Sequence, residues 1–337
     1  MRKTMTLLVC GLLLTSFAAP AKDKRTTIAV IPKGTTHEFW KSIHAGALKA
    51  AKEFDVDIIW KGPLKEDDRE EQIKVVEDMI TRGVDGIVLA PLDDTALRAP
   101  VANAKRAGIP TVIIDSDLKS KDFVSFVATD NEKGGQIGGE ELIKRLGGRG
   151  RVIMLRYQEG SASTANRETG FLNALSEHNV AVDKKKDLFT HGIKLVSANQ
   201  YGGATTESAY KASENLLAPL KTPEGKLAVE GIFCPNESTT FGMLRALQDS
   251  GFAGKVHFVG FDSDSKLIEG LKKGEIDALV IQNPMRMGYL GVKTMVERLR
   301  GKNVEARIDT GVALVTKANM NDPEIKEVLE PDLSILK

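Results

Sequence analysis

Short runs of β-branched residues alternate with stretches whose apolar positions recur every three or four residues, and the alternation continues along nearly the whole chain. It predicts strands over 28–31, 58–60, 87–89, 111–114 and 123–127, with helices over 39–54, 69–81 and 97–107 between them. Gly83, Gly108 and the Ile109-Pro110 step stop these helices ahead of the next strand. The cycle then restarts, with helices predicted over 133–146, 166–178, 205–217, 239–249 and 285–300. Strands are predicted over 152–155, 194–197, 231–234, 256–261 and 278–282. Apolar strands without polar alternation, separated by helices, predict parallel sheets covered on both faces. There are too many units for one sheet of ordinary width, so the fold class expected is α/β with two doubly wound lobes. No low-complexity linker divides them, which implies several short crossings.

The first 21 residues follow a different pattern. Arg2 and Lys3 precede an apolar run over 7–14 and then Ala19-Pro20-Ala21, the layout of a secretory signal peptide cut after about Ala21. The run is far short of the ~20 residues that span a bilayer. Cys10 invites a lipid anchor, but the bulky Val9 before it argues against one. Cleavage leaves Cys234 as the only cysteine, so the mature chain can form no intrachain disulfide even in an oxidising compartment. Losing Arg2 and Lys3 from 47 basic residues, against 46 acidic ones, takes the formal charge from +1 to −1. That balance, with no basic stripe of interleaved aromatics, argues against nucleic acid as a partner.

Catalytic signatures are missing. The sequence has no Gly-x-Ser-x-Gly elbow, no His/Cys metal cluster and no nucleotide loop, so no catalytic residue, metal or cofactor is expected. The run Gly134-Gly135-Gln136-Ile137-Gly138-Gly139 lacks the spacing of a phosphate loop and lies in a helical pattern, where close helix packing explains it. Asn236-Glu237-Ser238 matches a glycosylation sequon, but a buried strand end makes a poor acceptor.

Ligands of open parallel sheets sit outside the carboxyl ends of the strands. Those ends carry the segment from Lys33 to Trp40, then Ala90-Pro91 and Asp115; in the second half they carry Asn166-Arg167, Tyr201, Asn236, Asp262 and Gln282. Asp after a strand often only caps a helix or ties down a loop. Here Asp, Asn, Arg and Gln recur along one edge with Phe39, Trp40 and Tyr201 nearby. That set suits a polyol, whose hydroxyls donate to carboxylates and accept from Arg or amides while a ring face covers its C–H surface. Phe39 and Trp40 are adjacent, so they cannot share one helix face.

These residues resemble the periplasmic sugar-binding proteins of the ribose-binding type, which serve ABC importers. The resemblance spans nearly the whole mature chain: Phe39-Trp40, Val112-Ile113-Ile114-Asp115, Ala128-Thr129-Asp130-Asn131 before Gly134-Gly135, Arg167-Glu168-Thr169-Gly170-Phe171, Cys234-Pro235-Asn236, Val259-Gly260-Phe261-Asp262 and Ile281-Gln282. It implies two lobes of the type I periplasmic binding fold, joined by a three-crossing hinge near 129–131, 282–284 and 311–313. One lobe would then hold 26–130 with 283–311, and the other 131–282 with 312–337. By the same resemblance Phe39 and Trp40 stack on a monosaccharide or related polyol, Asp115 accepts its hydroxyl protons and Arg167 donates to it. Asn236, Asp262 and Gln282 complete the contacts, and Tyr201 stands for the aromatic of the second lobe. The implied partner is an ABC permease of the inner membrane, met by a monomeric receptor.

The chain departs from the ribose pattern at three places: His37 stands where Asn is usual, Ser116 where Arg follows the Asp, and Ala90 where Asn precedes Pro91. The sugar is therefore not assigned as ribose. The segments Ile31-Pro32-Lys33 and Asp115-Ser116-Asp117 are also similar to rhamnose-binding proteins and to the furanosyl autoinducer receptor of the same fold, which makes Lys33 a candidate contact. A chemotaxis or quorum-signal receptor and a sugar-acting enzyme are the alternatives.

Overall fold

The computed structural model describes residues 25–177, 189–190 and 192–337. The expected leader with Cys10, and residue 178 of the expected 166–178 helix, lie outside the described residues. In the first half, strands β1 (Thr27–Ile31), β2 (Asp57–Trp60), β3 (Gly86–Leu89), β4 (Thr111–Ile114) and β5 (Ser125–Ala128) alternate with helices α1 (Glu38–Phe54), α2 (Arg69–Thr81) and α3 (Arg98–Arg106). The chain crosses over through α4 (Asn131–Arg145) into β6 (Gly150–Arg156), α5 (Ala162–Glu177), β7 (Phe189–Thr190) and β8 (Ile193–Tyr201). It continues with α6 (Thr206–Leu217), β9 (Gly231–Phe233), α7 (Glu237–Asp249), β10 (His257–Phe261), α8 (Ser265–Lys273) and β11 (Ala278–Gln282). Helix α9 (Pro284–Leu299) and β12 (Arg307–Asp309) return to the first sheet, and β13 (Val312–Thr316) and α10 (Pro323–Leu329) return to the second.

The two sheets share one topology. The first runs β12-β5-β4-β3-β1-β2 and the second β13-β11-β10-β9-β6-β8-β7, so β6, β8, β9, β10 and β11 repeat the order of β1 to β5. In each, the first strand lies between the second and third, which creates the crevice where α/β sheets bind ligands. The first sheet is parallel throughout. The second is parallel except at its two edges, where β13 and β7 pair antiparallel. Strands β7, β12 and β13 and helices α8 and α10 add to the predicted set; β12 (Arg-Ile-Asp) has half-exposed or exposed positions and lacks the apolar signal used to find the others.

Each sheet is buried on both faces. Ile28, Val30, Val88 and Ile114 pack under α1 and α9, while Ala29, Ile31, Ile87 and Ile113 face α2 and α3. In the second lobe Ile153, Ile232 and Phe258 lie on the α6, α7 and α8 side, and Val152, Phe233 and Val259 lie against α4 and α5. Full burial is worth about 1.5–3 kcal/mol per large apolar side chain, so these faces supply the main stabilising term. Helix starts are set locally: Asp68, Asp130, Thr205, Asp264 and Asn283 each accept a backbone N–H of the first turn they precede.

Two helix pairs approach until backbones touch. In the second lobe a Cβ on Gly135 of α4 would lie 1.8 Å from the carbonyl oxygen of Arg167 on α5, and one on Gly170 would lie 1.9 Å from that of Glu132. The first lobe repeats the device: Gly46 of α1 meets the Met285 carbonyl at 1.9 Å, and Gly288 of α9 meets that of Ile43 at 2.0 Å. The expected packing role of the 134–139 run is thus observed for Gly135. In an isolated helix Gly135→Ala would gain about 1 kcal/mol from propensity. Here overpacking against fixed backbone outweighs that gain, and a net loss of about 1–3 kcal/mol is expected in denaturant unfolding; an unchanged or raised midpoint would refute the contact.

Candidate functional site

The carboxyl edges of the two sheets face each other, and a buried polar cluster fills the space between them. Asp115 follows β4 and Asp262 follows β10, topologically equivalent positions, and both adopt left-handed backbone with φ of 63° and 68°. Their backbone N–H groups donate to the neighbouring strand in the same way, Asp115 to Val127 and Asp262 to Val280. Each carboxylate then meets a cation. Lys33, from the loop after β1, places Nζ 2.7 Å from Asp115 Oδ2. Arg167, from α5, lies 3.5 Å from Asp262 Oδ2, and its guanidinium also donates to Asn131 Oδ1 at 2.8 Å and to the Pro235 carbonyl at 3.0 Å. The same guanidinium sits 4.0 Å over the Phe261 ring, which fixes its plane.

Gln282, at the end of β11, donates to Asp262 Oδ1 at 2.6 Å. Its Oε1 is buried without a hydrogen-bond partner among the described residues, leaving an acceptor in the cleft. Asn236 caps α7 through Thr239 N–H and Oγ1, and it also lines the cleft. Phe39 is half-buried and Trp40 is 2% exposed; both line the space, Trp40 also joins the first core, and the two rings meet edge to face with centroids 5.0 Å apart. The space between these groups is about 30 Å³, room for roughly two waters.

Of the residues singled out in the sequence, the structure brings Lys33, His37, Phe39, Trp40, Asp115, Arg167, Asn236, Asp262 and Gln282 to one lining. Tyr201 stands apart. Its strand ends four residues later than predicted, its ring lies 4.5 Å from the Arg156 guanidinium carbon, and its hydroxyl donates to Glu159. At two of the departures from the ribose pattern, Ser116 Oγ accepts Ser163 N–H from the opposite lobe, and the Ala90 backbone carbonyl accepts from buried Gln72.

Sequence reasoning missed five lining residues: Glu66, Tyr157, Ser163, Thr164 and Glu237. Glu66 is 6% exposed and collects donors from both lobes: His37 Nδ1 at 2.7 Å and Trp40 Nε1 at 2.5 Å on Oε1, the Tyr157 hydroxyl on Oε2, and Gln158 Nε2 at 2.8 Å on its carbonyl. Within 65–71 it belongs to a charge run that reads as solvated surface. Tyr157 follows β6 directly, so the strand-end rule that found Asp115 applied to it as well. Glu237 opens α7, where an acid is common for dipole reasons, and carried no separate signal.

Burial alone would lower the His37 pKa and raise that of Glu66. Their mutual attraction outweighs both effects, with Lys33 and the Tyr157 hydroxyl adding on the Glu66 side, so His37 is raised and Glu66 lowered. The pair therefore contributes its full stability between the ordinary values of 4.5 and 6.5. It is lost as pH rises through the raised histidine value or falls through the lowered glutamate value. Glu237 behaves oppositely. Burial, with Asp264 and Asp262 nearby, pushes it up to about 8 against the pull of His37, and its Oε2 accepts the Phe39 N–H across the cleft at 3.2 Å.

The family described as periplasmic binding protein domain matches residues 28–303. A D-ribose/D-allose-binding protein of Pseudomonas aeruginosa is 31% identical over 325 residues, covering 93% of this chain and 96% of the relative. Among solved structures, a carbohydrate transporter solute binding protein from Agrobacterium radiobacter in complex with D-arabinose superposes with a TM-score of 0.82 at 33% identity, covering 91% of this chain and 99% of that one. An ABC transporter solute binding protein from Agrobacterium vitis with bound D-fucose gives 0.81 at 35% identity, over 90% and 99% of the two chains. No helix among the described residues is long and apolar enough to cross a membrane.

An acid whose folded pKa lies above its unfolded value destabilises the fold as pH climbs between the two, here from 4.5 to about 8. Glu237→Gln should therefore raise the melting midpoint by a few degrees at pH 9 and change it little at pH 5. An equal shift at both pH values would show that the carboxyl is not neutralised by burial.

Proposed function

The chain belongs to the periplasmic binding protein domain family, and on that footing we propose that it captures a monosaccharide or closely related polyol between its lobes and delivers it to an ABC importer. One observation carries the reading. Paired carboxylates on equivalent strand ends, a planar guanidinium, two amides and an aromatic ring converge on one buried cleft. Each sugar hydroxyl both donates and accepts, so a mixed lining of Asp115, Asp262, Arg167, Asn236 and Gln282 meets it without leaving a charge alone. The Phe39 ring offers a face to the C–H surface. The relatives named above bind ribose, allose, arabinose or fucose by their descriptions, which agrees with a neutral sugar.

The mechanism is hinged closure. The lobes are 26–130 with 283–311, and 131–282 with 312–337, joined by the three crossings that the two sheets leave between β5 and α4, between β11 and α9, and between β12 and β13. Thr129 Oγ1 bonds across two of these crossings, to Thr310 Oγ1 and the Gly311 carbonyl. A ligand that touches both lobes favours the closed arrangement by its differential affinity. Exclusion of water then strengthens the charged hydrogen bonds. The receptor is a periplasmic monomer exported by cleavage of residues 1–21, binds rather than converts its ligand, and docks on an inner-membrane permease. A furanosyl signal is the second reading, favoured by the position of Lys33 on Asp115 within the cleft.

Thermal melting of the chain without residues 1–21 against monosaccharides, deoxysugars, polyols and the furanosyl autoinducer tests this. A ligand at ~100 times its dissociation constant adds about 2.7 kcal/mol, a shift of a few degrees. Silence from every monosaccharide and polyol would overturn the sugar reading. With the active ligand, Asp115→Ala, Arg167→Ala and Asp262→Ala should each weaken binding by about 1.5–3 kcal/mol in calorimetry, through loss of charge-assisted hydrogen bonds. Unchanged affinity in two of the three would move the site elsewhere.

A further inference from the structure

We propose that Glu66 is a positioning residue: it holds His37 as a doubly protonated donor at the cleft, and it keeps its second oxygen for Tyr157 of the opposite lobe, so one side chain both orients a ligand contact and registers closure. The ligand half of this inference rests on the sugar reading above, while the protonation and closure halves stand without it.

The geometry leaves little freedom. An ionised carboxylate only accepts. Glu66 Oε1 takes the Trp40 indole N–H at 2.5 Å and lies 2.7 Å from His37 Nδ1, so Nδ1 must carry a proton. His37 Nε2 has no hydrogen-bond partner among the described residues, and the ring lines the cleft. A second proton there gives an imidazolium that the surroundings favour. Glu66 lies in contact, and Asp262 and Asp264 from the facing lobe add negative potential, joined by Glu237 only as it ionises near pH 8. The nearby cations oppose it weakly, because Lys33 is matched by Asp115 and Arg167 by Asp262.

The consequence is chemical. The amide that ribose-type proteins carry at this position offers a donor and an acceptor, whereas an imidazolium anchored through Nδ1 offers the ligand only a donor. The oxygen received there need not bear a proton, so a ring oxygen or carbonyl serves as well as a hydroxyl. Closure enters through the other half of the carboxylate. The Tyr157 hydroxyl reaches Oε2 from the end of β6, and Gln158 Nε2 reaches the Glu66 carbonyl at 2.8 Å, both from the second lobe.

Carbon-detected NMR titration of the His37 ring in the ligand-free chain tests the protonation claim, with the signal assigned by its loss in His37→Asn. The wild-type ring should stay charged through about pH 8, and Glu66→Gln should bring its midpoint below about 7. A wild-type midpoint at or below about 6.5, or one that Glu66→Gln leaves in place, overturns the proposal; the wild-type titration decides even if that variant fails to fold. Tyr157→Phe, which removes only the hydroxyl, should keep His37 charged and enlarge the ligand-free radius of gyration in small-angle scattering. An unchanged radius removes the closure role. D-ribose and D-arabinose serve as ligand probes. Where either binds, wild-type affinity should be flat from pH 6 to 8 and that of Glu66→Gln should fall about tenfold; flat affinity in both removes His37 as a ligand donor. If neither sugar moves the melt, the sugar reading fails at that point while the titration still decides the role of Glu66.

Discussion

Charges taken out of water between the two sheets must be matched, and most of what is specific to this protein follows from how they are. A buried ion costs several kcal/mol in desolvation, which only a close partner and further hydrogen bonds offset. Lys33 has Asp115, His37 has Glu66, and Arg167 has Asp262 with Asn131 and the Pro235 carbonyl. Glu237 has no cation in contact among the described residues and meets burial by taking up a proton more readily. The cleft is thereby close to neutral while remaining dense in donors and acceptors, a combination that suits an uncharged polyhydroxylated ligand better than an ion.

The scaffold places these groups by repeating itself. Two sheets of equal strand order each send an Asp in left-handed backbone from the fourth strand of the unit, and each meets a cation from the segment that follows the first strand. Backbone-to-backbone helix contacts at Gly135–Arg167 and Gly46–Met285 hold α5 on α4 and α1 on α9. Those contacts have a functional side, because Arg167 is itself one of the residues touched, and α1 begins at the Phe39–Trp40 pair. Packing tolerances of a few tenths of an ångström in the lobes are thus passed to the cleft.

Contacts between the lobes are polar and few compared with the cores. They include Glu66 with Tyr157, Lys33 with Ser163, Phe39 N–H with Glu237, Ser163 N–H with Ser116 and Arg69 with the Glu159 carbonyl. Bonds of this kind are worth about 0.5–1.5 kcal/mol net, more where a charge takes part. A set of that strength holds an arrangement and still lets it open, which a large apolar interface would not.

By itself the sequence determined the α/β class, the succession of strands and helices, and the polar residues at strand ends. These follow from local period and from burial of the strands on both faces, and both are written in consecutive residues. Asp115, Arg167, Asn236, Asp262 and Gln282 were legible for that reason, and the structure brings them to one lining. Tertiary structure alone decided the rest. Edge strand β12 is short and largely exposed, and β12 and β13 pair with β5 and β11, strands far away in the chain or of the opposite direction. Tyr201 was placed by strand-end logic, but a longer β8 turns it toward Arg156 at the rim. Glu66 sits in a run of charges that any local reading assigns to solvent, and only the approach of His37, Trp40 and Tyr157 from distant segments buries it. Charge pairing is a property of position in space, and the periodicity of a sequence does not encode which distant partner will arrive.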